Sequence, residues 1–395
     1  MASEHKKRIV CLDVIKTWSI FFVLLIHMVG VMPSFPKTWW AAAFTIFTVS
    51  SVPLFLMVNG ALLLNRPFSF QKWRNRLISL IVLTCIWKVI GLAFCHFFWD
   101  FDDVAVTPRI VIEYLFGGDP PYWQLKYLWF MNMYIGLYAF LPLWKHLFDC
   151  KDARYLKLGF VITLICTFGS PTFSMVLKPL DTILGTGGFS TVLAHLPVFV
   201  PMSENAVYVV YFFVGGLLYR SFILGNSAAM PTKGRIASLL HGNTKTILAL
   251  GAISYAILLL LNRYQVAYLH PNQAADLGSF FTVTPNYTNV FTLFLSSSLY
   301  LILLNVQYPH SIAAISETIG KRTFGIYILH IFSLFIVQIT VGDHPISPFI
   351  PNGSELPPLL TMVFLLAIIA ICLAVTTIVV AAIERIPLIN RLLPK

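Results

Sequence analysis

The chain has 395 residues, of which 58% are hydrophobic and only 11% are charged. Soluble domains carry about 25% charged residues, so this composition excludes an ordinary soluble protein and indicates a membrane protein. The net charge of +11 does not indicate a nucleic-acid-binding protein, because the basic residues are scattered in short loops without a nucleic-acid-binding motif. The six cysteines lack the spacing of a zinc site and the pattern of a disulfide framework. We expect neither a metal ion nor a nucleic acid as partner.

Apolar segments long enough to cross a bilayer recur along the whole chain. They predict an all-α, polytopic integral membrane protein with about ten transmembrane helices. We expect one membrane-embedded domain over residues 1–395, without a separate soluble domain. The predicted spans are residues 9–31, 39–64, 76–99, 123–144, 156–172, 206–224, 246–263, 287–306, 324–341 and 358–383.

Positive charges favour one side of these spans. With a cytoplasmic N-terminus, twenty of the 27 Lys and Arg residues fall on the cytoplasmic side, five fall on the opposite side, and Lys16 and Lys88 lie within spans. Loops that stay in the cytoplasm carry the excess of Lys and Arg. Both termini are therefore predicted to be cytoplasmic.

The first predicted span carries three ionisable residues, Asp13, Lys16 and His27. A charge near the bilayer centre costs about 2.5–3.5 kcal/mol on insertion scales, so such groups usually face a protein interior or a watery cavity. Lys16 and His27 share one helix face about 16 Å apart along the axis, and Asp13 lies one turn from Lys16, where it can neutralise it. Neutral imidazole accepts protons at physiological pH, which makes His27 a candidate general base. The alternative, a snorkelling Lys16 and a packing His27, stays open.

Two basic clusters flank spans on the expected cytoplasmic side. A guanidinium fork suits phosphate oxygens, so such clusters can recognise a cytosolic phosphate. Ordinary positive-inside anchoring explains the same charge density, and the residues alone leave both interpretations open. The clusters are Arg66, Lys72, Arg74 and Arg76 after the second span, and Lys321 and Arg322 before the ninth.

His330 and Lys88 also lie in predicted spans. His330 ends the segment TFGIYILH, and we expect it two turns from the cytoplasmic surface, at the depth of Lys16, where the two side chains can meet. A hydrogen-bonded packing histidine is the alternative. Lys88 is a candidate site residue by the same burial argument, without an identified partner. Segments 100–122 and 173–205, on the expected outer side, are candidates for a second substrate site.

Four pieces of sequence, spread over most of the chain, share features with one family. They are Leu12, Asp13, Lys16 and His27 in the first span, VPLFLMVNGALLLNR from Val52 to Arg66, YLWFMNMYIGLYAFLPL from Tyr127 to Leu143, and TFGIYILH from Thr323 to His330. In this combination and order the sequence resembles the membrane acyltransferase 3 family, multi-pass enzymes that O-acylate bacterial surface and secreted glycans.

The resemblance implies an O-acyltransferase of the bacterial plasma membrane. An acyl group, acetyl by family default, would pass from cytosolic acyl-CoA, such as acetyl-CoA, to a hydroxyl of a cell-envelope or surface glycan. Partners would be a glycan or lipid-linked saccharide acceptor, membrane lipids and envelope-biosynthesis proteins. His27 would be the essential histidine, with Lys16 as its basic partner and Asp13 beside Lys16. Residues predicted to hold the donor are Arg66, Arg74, Arg76, Lys321, Arg322 and His330.

Three positions depart from the family pattern. Lys16 replaces a more frequent arginine, Asn59 a frequent serine, and Tyr127 a histidine found in several members. Two other functions stay open from the residues. One is a transporter or flippase for a lipid-linked glycan or small solute, which does not need His27. The other is a noncatalytic membrane sensor or scaffold.

Overall fold

A computed structural model describes residues 9–29, 43–44, 46–98, 106–150, 152–185, 205–224, 244–264, 287–340 and 358–386. Every regular element in these ranges is helical, which confirms the predicted all-α class. The α-helices are α1 (Val10–Val29), α2 (Ser51–Leu64), α3 (Phe70–Phe98), α4 (Pro108–Leu115), α5 (Trp129–Ala139), α6 (Leu141–Asp149), α7 (Ala153–Thr163), α8 (Ser170–Leu184), α9 (Ala206–Tyr219), α10 (Thr244–Tyr264), α11 (Val290–Asn305), α12 (His310–Thr340) and α13 (Pro358–Ile383). Short 3₁₀ segments cover Phe47–Ser50 and Trp123–Leu128, and π-helical segments cover Leu164–Gly169 and Arg220–Leu224.

Eight helical segments within the described ranges are long and apolar enough to span a membrane, so the protein is a polytopic membrane protein. The other two predicted spans form shorter helices. The segment 123–144 divides into a 3₁₀ segment, α5 and the start of α6. The segment 287–306 forms α11, which begins after Asn289, whose side chain accepts a hydrogen bond of 2.7 Å from Thr292 N.

The break between α5 and α6 has a local cause at Pro142. Proline has no N–H to donate to the carbonyl four residues earlier, which here belongs to Tyr138. The indole of Trp73 donates to that carbonyl instead, at 2.9 Å, and so ties the start of α3 to the end of α5. The break therefore holds two helices together without leaving a buried acceptor unpaired.

Two helix contacts depend on glycine. A Cβ atom at Gly60 of α2 would overlap the carbonyl oxygen of Phe212, and one at Gly215 of α9 would overlap the backbone of Met57, so α2 and α9 cross with their backbones in contact. A Cβ atom at Gly320 of α12 would lie 2.6 Å from Asp13 Oδ1. Glycine at 320 therefore lets α12 approach the ionisable end of α1.

One end of the bundle carries Arg66, Lys145, Arg220 and Arg322, and we call it the basic face. Lys145 Nζ donates to the carbonyl of Leu64 at 2.6 Å. Arg220 Nε donates to Asn65 Oδ1 at 2.9 Å, and Arg322 pairs with Glu384 at 2.8 Å. Since α12 starts at this face and contacts both Asp13 and Glu384, α1 begins here and α13 ends here. Its assignment to the cytoplasm stays a prediction.

Parts of several predictions lie outside the described residues. They are parts of four predicted spans, at residues 30–31, 39–42 and 45, 99 and 341, together with residues 100–105 of the segment 100–122 and residues 186–204 of the segment 173–205.

Candidate functional site

Two imidazoles meet where the last turn of α1 packs against α12. The ring centroids of His27 and His330 are 5.1 Å apart, and the planes are inclined by 40°. The ring of Tyr127 lies 4.8 Å from that of His330 and 6.4 Å from that of His27. The ring of Tyr327 lies 5.6 Å from that of His330. We call His27, Tyr127, Tyr327 and His330 the histidine centre.

Backbone hydrogen bonds hold the two tyrosines in place. The hydroxyl of Tyr127 donates to the carbonyl of Ile328 at 3.0 Å. In return the hydroxyl of Tyr327 donates to the carbonyl of Tyr127. This reciprocal pair joins the 3₁₀ segment before α5 to α12, so the ring of Tyr127 is fixed against both imidazoles.

His330 is fully buried, with 0% of its surface exposed. Its Nδ1 is bonded to the carbonyl oxygen of Tyr327, one turn earlier in α12. A carbonyl only accepts, so Nδ1 carries the hydrogen, and Nε2 of the neutral ring is then an acceptor. Across the described part of the chain, Nε2 has no hydrogen-bond partner.

Asp13 and Lys16 lie nearer the basic face on the same helix. Lys16 Nζ is 3.6 Å from Asp13 Oδ1, and Asp13 is buried against Gly320. Near the start of α1, Asp13 contacts Gly320 of α12, and farther along both helices His27 contacts His330. The two helices therefore run parallel. The seam predicted on α1 therefore faces α12.

The predicted meeting of His330 with Lys16 is wrong. The ninth span was expected to begin at residue 324, whereas α12 begins at His310, directly after Pro309. Twenty residues of helix, about 30 Å, separate the start of α12 from His330. His330 consequently meets His27 instead of Lys16.

A small apolar cavity of about 20 Å³ lies between the levels of Lys16 and His27. Ser19 and Val23 line it from α1, Phe55 from α2, and Phe130 and Tyr327 from the opposite side. A volume of this size holds about one water-sized group.

Of the six residues predicted to hold the donor, His330 lies in the histidine centre, and the five basic residues divide into two groups. Arg66, Arg74 and Arg76 are exposed near the basic face, and no ion pair to another described residue engages them. Lys321 and Arg322 are instead paired, with Glu317 at 2.5 Å and with Glu384 at 2.8 Å. The charges of the three arginines are therefore open to a ligand, whereas those of Lys321 and Arg322 are already neutralised by glutamates.

The two departures at Asn59 and Tyr127 are structurally accounted for. Asn59 Oδ1 accepts a hydrogen bond of 3.0 Å from the hydroxyl of Tyr134, and its Nδ2 donates to the carbonyl of Phe55 at 2.8 Å. The amide thus joins α2 to α5. Tyr127 contributes a phenol to the histidine centre, where a histidine was expected from several family members.

A cleft opens on α5 away from the histidine centre, and we call it the Asn132 cleft after the residue at its middle. A cavity of about 280 Å³ on one side includes Asp119 and Lys126, and one of about 530 Å³ on the other continues past Phe140. Gly117, Trp129 and Asn132 line both cavities. No hydrogen bond to the described residues engages the Asn132 amide.

Tyr114 lines the Asn132 cleft together with Leu125 and Leu128, which flank Tyr127 in the 3₁₀ segment before α5. The hydroxyl of Tyr114 is buried and has no hydrogen-bond partner in the described ranges. Neither Tyr114 nor Tyr327 was selected from the sequence, although Tyr327 precedes His330 by one helical turn, a spacing that could have indicated it.

Among the described residues, no group of three His, Cys, Asp or Glu side chains is placed to hold a metal ion. What the histidine centre offers is one partly buried imidazole, that of His27, beside a second imidazole that is fully buried and fixed, with two phenol rings around them. Such an arrangement can take a proton from a hydroxyl group.

Comparison with known proteins identifies the family of the chain. The family model described as "Acyltransferase domain", that of the acyltransferase 3 family, matches residues 9–379. A search of curated proteins and a search of solved structures gave no match. Because the family model covers nearly the whole chain, the protein belongs to the acyltransferase 3 family and is a membrane acyltransferase.

Proposed function

We propose that the protein transfers an acetyl group from cytosolic acetyl-CoA to a hydroxyl of a cell-envelope or surface glycan, across the plasma membrane of a bacterium. The observation that carries this proposal is the pairing of His27 with His330 at the end of a polar seam that starts near the basic face. An acyltransferase needs a base at the hydroxyl, and His27 supplies one.

The proposed reaction has one proton path. His27 takes the proton of the acceptor hydroxyl, and the oxygen attacks the carbonyl carbon of the thioester. The new C–O bond forms as the C–S bond breaks. The thiolate of coenzyme A then takes the proton from His27, so the products are the acetyl ester and free coenzyme A.

The donor is proposed to enter at the basic face. Arg66, Arg74 and Arg76 are exposed there and can bind the phosphates of coenzyme A. Lys16, held by Asp13, adds a fixed positive charge on the way to His27. The rise of about 16 Å along α1 between Lys16 and His27 suits an extended pantetheine arm.

The acceptor is proposed to enter through the Asn132 cleft. The cleft offers hydrogen-bonding groups at Asp119, Lys126 and Asn132 and an aromatic face at Trp129, which suit a saccharide. The larger cavity continues along apolar residues to Trp144, which suits the lipid part of a lipid-linked saccharide. The hydroxyl would reach His27 past Tyr114.

Acyl transfer by purified protein tests the proposal. Wild type, His27→Ala and the exposed control His146→Ala are supplied in bilayer discs with labelled acetyl-CoA and an envelope glycan extract. We expect transfer by the wild type and the control, and a loss of at least about 10²-fold in His27→Ala at equal protein level.

Flux of a lipid-linked glycan in proteoliposomes, with neither acyl transfer nor donor hydrolysis, would instead identify a transporter. Mass spectrometry of envelope glycans from a deletion strain and its complemented strain would name the acyl group and the acceptor.

A further inference from the structure

We propose that His330 is a positioning residue for His27, whose Nε2 accepts a hydrogen bond from the His27 imidazolium when that ring has taken the hydroxyl proton. This inference rests on the proposed function, and it concerns one atom that the fold leaves without a partner. His330 does not exchange a proton in this role.

The first step of the argument is the tautomer of His330. The carbonyl of Tyr327 fixes the hydrogen on Nδ1, so Nε2 presents a lone pair. Buried polar atoms are nearly always hydrogen-bonded, and an exception calls for an explanation. The His330 ring is fully buried, and its Nε2 has no partner among the residues that the structure describes.

The second step is the position of that lone pair. The ring of His27 lies beside that of His330, at a centroid distance of 5.1 Å. At this separation one nitrogen of each ring can come within hydrogen-bonding distance after a small rotation. The other described rings around His330 are the phenols of Tyr127 and Tyr327, and both phenol hydroxyls already donate to backbone carbonyls.

The third step is the charge that the reaction creates. When His27 accepts a proton, an imidazolium forms in a partly buried place beside the fully buried His330 ring, and a charge there is costly without an acceptor. The described ring and hydrogen-bond contacts of the histidine centre are all with neutral groups. After a small rotation of the rings, Nε2 of His330 can accept a hydrogen bond from an N–H of this imidazolium. The role corresponds to that of the orienting group beside the base in other acyl-transfer enzymes.

Two substitutions separate the two nitrogens of His330. In His330→Asn the side-chain amide can still donate to the Tyr327 carbonyl, but no atom takes the place of Nε2. In His330→Gln the longer amide can place an oxygen near the Nε2 position, and it cannot be protonated at physiological pH. A positioning role needs the acceptor atom, and it does not need titration.

The experiment measures acetyl transfer and donor binding for wild type and both variants in bilayer discs. We expect kcat to fall about 10²-fold in His330→Asn and to stay within about tenfold of wild type in His330→Gln, with the KM for acetyl-CoA changed less than about threefold in both. Unchanged kcat in His330→Asn, equal loss in both variants, or a loss confined to KM would overturn the proposal. If the wild type itself transfers no acetyl group, the proposed function fails, and this outcome is distinct from the others.

A measurement on the wild-type protein keeps the proposal testable if the variants do not fold. Nitrogen NMR of protein labelled with ¹⁵N-histidine reports which ring nitrogen of each histidine carries the hydrogen. We expect a ring with hydrogen on Nδ1 and a bare Nε2 for His330. A hydrogen on Nε2 of His330 would overturn the proposal.

Discussion

Lys88 Nζ lies 2.7 Å from the carbonyl oxygen of Tyr114 and 3.4 Å from that of Leu115, so a fully buried lysine of α3 closes the C-terminal end of α4. The last carbonyls of a helix have no partner within the helix and carry partial negative charge, which a cation stabilises. The ammonium also lies 4.7 Å from the centre of the Tyr114 ring. Lys88 thereby anchors the segment that carries Tyr114 and one wall of the Asn132 cleft.

We expect Lys88→Met to destabilise the protein, because it removes the ammonium from two carbonyls of the α4 end: that of Leu115, and that of Tyr114, which then keeps only the N–H of Gly117 at 3.2 Å. The cost should be about 1–3 kcal/mol. Thermal unfolding of the purified protein measures it, with the exposed Lys157→Met as control. A midpoint equal to that of the control would show that water satisfies these carbonyls.

Gly60→Ala should weaken the contact between α2 and α9. Its Cβ meets backbone atoms of Phe212, which cannot rotate away as a side chain would. We expect a loss at the upper end of the usual 1–3 kcal/mol range for overpacking, about 3 kcal/mol. Gly159→Ala is the matched control, since its Cβ would have no neighbour within 4 Å. Equal stability of the two variants would contradict the close crossing.

Asp149 should make the basic face sensitive to acid. Partial burial tends to raise the pKa of this carboxyl, but hydrogen bonds from Lys145 and Arg220 outweigh burial and hold its pKa below the ordinary value. The stabilisation is therefore complete above the unfolded pKa of about 3.9 and is lost as the pH falls through the lower folded pKa.

The half-exposed position of Asp149 limits this effect to about 1 kcal/mol or less, because solvent screens the charges. Wild type should unfold at a higher temperature than Asp149→Asn at pH 7, and the difference should shrink below about pH 4. A difference that stays constant from pH 7 to pH 3 would refute the ion-pair explanation.

Arg74→Gln and Arg76→Gln should each raise the KM for acetyl-CoA about tenfold with little change in kcat, since a charge-assisted hydrogen bond contributes about 1.5–3 kcal/mol. Lys321→Gln should change KM little, because that ammonium is already paired with Glu317. Initial rates against acetyl-CoA concentration measure both KM values.

Acetyl-dephospho-CoA, which lacks the 3′-phosphate, serves as a second donor. If one of the two arginines binds the 3′-phosphate, its variant should lose discrimination between the donors. Unchanged KM in both arginine variants would place the donor elsewhere.

Asn132→Leu should impair the acceptor without affecting the donor. The substitution keeps the branched shape of the side chain beside Trp129 but removes an amide that has no hydrogen bond to the described residues. We expect the acceptor KM to rise about tenfold, while slow hydrolysis of acetyl-CoA in the absence of acceptor is unchanged. The control is Asn75→Leu at an exposed position. Asn65 is not used, because its side chain accepts a hydrogen bond from Arg220. A rise in the KM for donor alone would argue against an acceptor cleft.

The residues by themselves determined the class of protein and most of the candidate site. Spanning length and hydropathy are properties of each segment alone, so they predicted a polytopic helical protein before any contact was known. The cost of burying an ionisable group is also local, and it selected Asp13, Lys16, His27, His330 and Lys88. The family pattern supplied the activity.

Tertiary structure decided which of these groups meet. His27 and His330 are far apart in sequence, and the boundary of α12 had been placed too late for their pairing to be predicted. The hydrogen-bond partner of Lys88 is a carbonyl of α4, which packs against α3. The Tyr127 phenol lies in the histidine centre because its hydroxyl bonds the backbone of α12. Such meetings depend on how closely helices approach, which small residues such as Gly60 and Gly320 permit. Hydropathy does not predict how closely two helices approach, because the neighbours of a spanning helix are apolar whether they are lipid tails or protein side chains.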